Sequence, residues 1–253
     1  MSALVQYELE GRVARLTLDS PLNHNALSTA LVEQLHQGFD DAVAAGARVV
    51  VLGHTGKTFC AGADLGEVAG RAPGDIAVDR AREMTRLLRA ILEAPVPVIA
   101  AVDGHVRAGG MGLVGACDIA VAGPQSTFAL TEARIGVAPS IISLTLLPKL
   151  TARAAGRYFL TGEKFGPAEA ADIGLITVAA DDVATTVTGL CADIAKASPQ
   201  GLSASKALTT AAILAGFDAH ADTLTAQSAE LFTSAEAREG MTAFLQKRSP
   251  DWV

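Results

Sequence analysis

The chain of 253 residues is poor in cysteine, in aromatic residues and in charge, and each shortage excludes something. Its three cysteines, Cys60, Cys117 and Cys191, are odd in number, far apart and in no CxxC pattern. That excludes a disulfide scaffold and points to a reducing compartment. Aromatic residues make up 4% and charged residues 19%, against a usual ~25% charged. Half of the chain is apolar, so the core is built from Ala, Val, Leu and Ile, and disorder is excluded. Twenty Lys and Arg face 27 Asp and Glu, a net charge of −7, so the bulk field repels nucleic acid and anionic membrane. A local basic patch remains compatible with a small anionic ligand. No apolar run approaches the ~18 residues of a membrane span. The first twelve residues lack the apolar stretch of a signal peptide, so the expected location is cytoplasmic. His24, His36, His54, His105 and His220 fall in no ligand spacing and no metal is expected. No GxSxG elbow offers a serine nucleophile.

What is present is an ordered alternation of strand and helix patterns. Val5, Tyr7 and Leu9, then Val13, Leu16 and Leu18, flank Glu10-Gly11-Arg12 and read as a hairpin. Leu31, Leu35, Phe39 and Val43 recur at helical spacing from a Ser28 cap to a stop at Gly46. Val49–Leu52 is an unbroken β-branched-rich run, as in a strand buried on both faces. Met84, Leu87, Leu88, Ile91 and Leu92 mark a second helix, and Pro95 and Pro97 break it before a strand over Val98–Val102. Residues 118–122 read as a further strand. The class is therefore α/β, with a core over 1–182 and a helical region over 183–253. No internal repeat is visible in the sequence.

Three glycine segments invite chemistry. Gly53-His54-Thr55-Gly56-Lys57-Thr58 lacks the leading glycine of a phosphate loop, since Val51 occupies that position inside the strand. Gly110-Met111-Gly112-Leu113-Val114-Gly115 matches the dinucleotide fingerprint, with Glu132 at a distance suited to a ribose-binding acid. The motif does not directly follow a strand, however, and NAD-dependent oxidoreduction stays a remote alternative. The third segment, Thr58 to Glu67, and the stretch Gly104–Gly112 each follow a buried strand. Two amides from two such loops can converge on one carbonyl oxygen as an oxyanion hole, or both can be ordinary tight turns.

The segments Phe59-Cys60-Ala61-Gly62-Ala63-Asp64-Leu65 with Glu67, and Pro95-Val96-Pro97-Val98-Ile99-Ala100-Ala101-Val102-Asp103-Gly104, carry a resemblance. It continues through Ala108–Leu113, Cys117–Ala120, Phe128, Glu132, Gly136, Pro139 and Leu160–Glu163 to Glu239–Arg248. Over nearly its whole length the chain resembles the enoyl-CoA hydratase/isomerase (crotonase) superfamily. The resemblance implies a spiral of repeated ββα units with a C-terminal helical region that drives trimers or hexamers and completes the CoA site. It also implies an acyl-CoA thioester as substrate and no cofactor beyond that CoA.

By the same resemblance Ala63 and Gly109 donate the two oxyanion N–H groups, Gly109 from a helix N-terminus. Asp64, Leu65 and Gly66 belong to the loop lining the acyl and pantetheine path, with Asp64 and Glu67 expected to cap or hydrogen-bond that loop. Asn25-Ala26-Leu27 matches the loop near the nucleotide end of CoA, and Lys247 is a candidate to reach CoA from a neighbouring copy or to stand solvated. His105 and Arg107 are candidates for a substrate carboxylate or a phosphate. Asp118 is expected to pair locally. Two glutamates hold the water in the family's hydratases; the second matches Glu132 and the first falls at Gly112. Glu132 is then the one inherited acid–base, which suits hydration of a 2-enoyl-CoA. A Δ3-Δ2 enoyl-CoA isomerase using the same glutamate, and a non-catalytic acyl-CoA-binding protein, are the alternatives. The stretch 134–143 looks closer to hydratases of branched or carboxylated enoyl-CoAs.

Overall fold

The structure is a computed structural model that describes residues 3–68 and 73–253, with only the backbone at Leu65, Val68 and residues 73–76. The chain begins with three strand–strand–helix units. The first is β1 (Val5–Glu10), β2 (Val13–Leu18) and α1 (Thr29–Ala44). The second is β3 (Val49–His54), β4 (Thr58–Cys60) and α2 (Pro73–Glu93), and the third β5 (Val98–Val102), β6 (His105–Arg107) and α3 (Gly109–Ala116). A fourth starts with β7 (Ile119–Ala122) and β8 (Thr127–Ala129), then enters a 3-10 turn, Glu132–Ile135. After it come α4 (Ser143–Leu146), α5 (Ala152–Thr161), α6 (Pro167–Asp172) and β9 (Val178–Ala179), then α7 (Val183–Ala195), α8 (Pro199–Thr233) and α9 (Ala235–Leu245).

The first strand of each unit joins a sheet ordered β1-β2-β3-β5-β7-β9, and the second strands of the later units form a small sheet β4-β6-β8. Among the described strand pairs only β1–β2 is antiparallel, through the two-residue turn Gly11-Arg12, with Gly11 at φ +60°; outside the strands Phe165 bridges Phe128 of β8 antiparallel. The remaining pairings are parallel, as the helical crossovers between them require. Val50, Leu52, Val98 and Ala100 pack into the main core, while Val49, Val51, Ile99 and Val121 pack on the other face against Val187 and Cys191 of α7. Burial on both faces is the reason these strands read as unbroken apolar runs. The alternation of β1 misleads, because Tyr7 and Leu9 stay exposed on the sheet edge. The ββα repeat is structural, not visible as self-similarity: the second strands of the later units are three residues long and share a position without sharing residues.

The C-terminal helices are fastened to this core. α8 runs along α2. Lys206 on α8 is buried and donates from Nζ to the carbonyls of Ile91 (2.8 Å) and Val96 (3.0 Å). It also pairs with Asp118 Oδ2 at 2.8 Å. The expectation of a local partner for Asp118 is thus corrected: besides the neighbouring-strand amide of Val98, its charge partner comes from the C-terminal region. Among the described residues no helix is long and apolar enough to cross a membrane.

Candidate active site

The site starts where β4 ends. Gly62 takes φ +94°, a conformation that suits a residue without Cβ. The chain then pairs with the early loop: Leu27 donates to the Gly62 carbonyl at 2.7 Å and Asp64 donates to the Leu27 carbonyl at 3.3 Å. In a parallel bridge these two bonds flank Ala63 and turn its own N–H to the opposite side. Ala63 is exposed there. Cys60 Sγ accepts from the Gly62 N–H at 3.4 Å, which ties the turn to the buried end of β4.

The second loop meets the first at Gly62. A Cβ on Gly62 would lie 2.6 Å from the Ala108 Cβ and 3.3 Å from the Gly109 nitrogen. Ala108 caps α3 at φ +46°, ψ −120°, a backbone state that costs an alanine roughly 1–3 kcal/mol. That strain aims the first amides of α3. Gly109 opens the helix, so its N–H has no intrahelical acceptor and sits at the positive end of the helix dipole. The two expected donors, Ala63 and Gly109, therefore come from loops in direct contact.

The fingerprint glycines lie within α3 and are packing positions. A Cβ on Gly110 would meet the Cys60 carbonyl oxygen at 2.7 Å, and one on Gly115 would meet Thr145 Oγ1 at 2.9 Å. At Gly112 the Cβ position is 2.5 Å from Ile142 Cγ2 and 3.1 Å from Met84 Cε. The room left by the missing side chain is filled by this chain's own apolar groups. Leu27 and Met84 also crowd Gly109, with Cδ1 and Cε at 3.0 and 3.5 Å from its Cβ position.

Glu132 begins the 3-10 turn after β8, and its residue is only 7% exposed. Oε2 is buried and has no hydrogen-bond partner among the described residues. Burial pushes the carboxyl up to about 7, with its own backbone N–H pulling the other way. From this turn the chain leads through Val137, whose N–H donates to the Glu132 carbonyl, to Ile142 over the first turn of α3.

The remaining expected residues divide by what they hold. Asp64 accepts from Asn23 Nδ2 (3.0 Å) and from the Gly66 amide (2.8 Å), and Glu67 accepts from the Thr29 N–H that opens α1 and pairs with Arg80 at 2.8 Å. Both fasten the loop. Gly66 is exposed, and the Leu65 side chain lies outside the described residues. Ala26 is buried beside Asn25, whose Oδ1 accepts from Ser20 N–H and whose Nδ2 donates to the Thr55 and Thr58 carbonyls. Arg107 donates to the Val106 and Thr127 carbonyls and to Thr127 Oγ1, so its guanidinium is turned onto β8. His105 meets the same Thr127 hydroxyl. Lys247 is exposed just past α9 at φ +54°. Sequence reasoning gave no role to Leu27, Met84 and Ile142 as the apolar cover of α3, nor to Lys206. Their signal was an ordinary core pattern.

A family model described as enoyl-CoA hydratase/isomerase matches residues 8–253. The chain belongs to the enoyl-CoA hydratase/isomerase family. Among curated relatives, a Rhodobacter capsulatus protein named "Probable enoyl-CoA hydratase" is 35% identical over 98% of this chain and 97% of its own. An Escherichia coli 2,3-dehydroadipyl-CoA hydratase is 32% identical over 95% of each. The crystal structure of an enoyl-CoA hydratase from Mycobacterium avium superposes with a TM-score of 0.94 at 65% identity, covering 100% of both chains. The crotonase-type α/β architecture expected from the motifs is thereby shown.

Proposed function

We propose that the protein is an enoyl-CoA hydratase that adds water across the double bond of a 2-enoyl-CoA with one carboxylate. The observation that carries this reading is Glu132: a buried carboxyl whose Oε2 has no partner among the described residues, on the segment that runs on to Ile142 against Gly112 of α3. The thioester oxygen is held by the Ala63 and Gly109 amides. Glu132 removes a proton from water, the hydroxide oxygen bonds to C3, the C2=C3 π pair becomes a C1=C2 bond, and the carbonyl π pair moves onto the thioester carbonyl oxygen as an enolate. The enolate then collapses and takes the proton from Glu132 at C2. Water is consumed and nothing else is needed beyond the CoA of the substrate. A carboxyl balanced near neutrality serves both halves of that transfer.

Asp64, Leu65 and Gly66 belong in this reading to the acyl and pantetheine path, and Ala26 to the nucleotide end of CoA. Lys247 is proposed to reach CoA from a neighbouring copy in a homotrimer or homohexamer. Exposed Leu208, Phe244 and Leu245 on the C-terminal helices support such an assembly. A cytoplasmic site of action in acyl-chain metabolism completes the proposal.

Δ3-Δ2 isomerisation is the second reading, and Gly112 favours it. No second carboxylate stands there, and Ile142 and Met84 cover the position where one would hold a water. Incubation with 2-enoyl- and 3-enoyl-CoA substrates and mass identification of the products separates the two. Glu132→Gln should lower turnover at least ~100-fold with acyl-CoA binding little changed. Near-normal turnover in the folded variant would give the proton transfer to another residue.

A further inference from the structure

We infer that α9 is a positioning element for the proton-transfer carboxylate, and that Gly240 is the residue through which it acts. The inference rests on the proposed role of Glu132.

Oε2 of Glu132 has no partner among the described residues, and the carboxyl is bonded by the residue's own backbone N–H. Its place is therefore set by the backbone of the four-residue turn that it begins. That turn is clamped from two sides. On one side Arg134 Nε donates to the Thr161 carbonyl at 2.9 Å, and Gly162, at φ +60°, lies against the same guanidinium. On the other side α9 sits backbone to backbone on the turn. A Cβ on Gly240 would lie 2.5–2.6 Å from the carbonyl carbon, Cα and oxygen of Ile135, the last residue of the turn. A Cβ on Gly136 would lie 2.6–2.7 Å from the backbone of Glu236 and Ala237. Ala237 and Ala243, at 0% and 1% exposure, complete the buried face of the helix.

Two glycines facing opposite ways across one contact leave no slack. A methyl group at 240 has rigid backbone in front of it, so either the turn moves and carries Glu132 with it, or the helix lifts and the turn loses one side of its clamp. The charged groups on the packed elements are engaged elsewhere or face solvent. Arg134 is bonded to Thr161, Arg157 of α5 to Glu163, Glu239 of α9 to Arg248 at 2.5 Å, and Glu236 is exposed. Burial by the turn and its cover, not a charge, keeps the carboxyl protonated up to about 7.

The test is Gly240→Ala in the full chain. Turnover should fall about 10- to 100-fold, the cost of a misplacement of about an ångström, with KM nearly unchanged. The pH midpoint of kcat should move down from near 7 towards the ordinary carboxylate range as water reaches Glu132. The carboxyl titration itself, read as the infrared difference between each protein and its Glu132→Gln counterpart, should shift in the same direction. Ala237→Gly removes a buried methyl without a clash and should give a smaller change of the same kind, which keeps the test open if the alanine variant does not fold. A folded Gly240→Ala protein with unchanged turnover and titration would overturn the inference. So would a loss shared equally by kcat and KM with the titration unmoved. Wild-type protein inactive on every enoyl-CoA would sink the proposed reaction alone, because the titration still reports where α9 holds the carboxyl.

Discussion

The two halves of the proposed site are built by different forces. On the amide side, Ala63 and Gly109 are placed by backbone hydrogen bonds, by one strained alanine and by glycines that let two loops touch. The donors themselves are main-chain groups: Asp64 and Glu67 only fasten the loop, and the buried Cys60, whose Sγ accepts from the Gly62 N–H, has its thiol pushed up to about 12, so it stays neutral. On the acid side, the turn of Glu132 is packed by glycines against backbone, and its Oε2 has no partner among the described residues. The amide half should therefore be indifferent to pH and intolerant of any Cβ. The acid half should respond to pH and tolerate isosteric change of its own side chain structurally, though not catalytically. Polarisation needs fixed dipoles, which a rigid backbone supplies, whereas proton exchange near neutrality needs a carboxyl without strong partners.

The largest effect should come from closing the amide half. Gly62→Ala must tolerate φ +94° and a methyl 2.6 Å from Ala108 Cβ, so the two loops have to part. A loss of one oxyanion donor is worth about 100- to 1000-fold in kcat. The loss should be the same from pH 6 to 9, and a pH-dependent deficit would show that the two halves are not independent.

Next in size is a change of the floor between them. Gly112→Glu places a side chain into Ile142 and should destabilise the fold by about 1–3 kcal/mol in denaturant unfolding, without raising hydration. Gly112→Glu with Ile142→Ala returns the volume, and a rise of hydrated over isomerised product in that double variant would show that the position does face the double bond. A single variant as stable as wild type would mean that Ile142 gives way easily.

The smallest is a stability difference on the acid half. Burial raises the Glu132 carboxyl to about 7, above its unfolded value, so the folded protein binds more protons between the two values and wild-type stability falls as pH rises through that window. Glu132→Gln removes the cost. The variant should be the more stable protein at pH 8, by up to about 3 kcal/mol, and the two should converge below about pH 4.5. Parallel stability curves across that range would show that water reaches the carboxyl.

Much of this was legible in the residues. The helix capped by Ser28 runs from Thr29 to Ala44 with the cap bond to Leu31 in place, and the apolar runs at 49 and 98 are two-face-buried strands. Both signals are local periodicities that burial imposes directly on sequence. The motif-bearing loops were legible as glycine-rich segments after strands, and the resemblance assigned Ala63, Gly109 and Glu132 their parts. The three-residue strands β4, β6 and β8 were not legible, because so short a run carries no period. The partnership of Lys206 with Asp118 was hidden too, since nothing in one segment records a charge in another.

The sequence by itself determined the class of architecture, the order of its units and the small residues that any close approach would need. A missing Cβ or a buried run is a property of the position itself. Only the tertiary structure decided that Gly62 and Gly109 touch, that Ile142 and Met84 fill the space above Gly112, and that α9 lies on the turn of Glu132. These are contacts between segments far apart in the chain, and they are selected by how volumes fit together once the layers have formed.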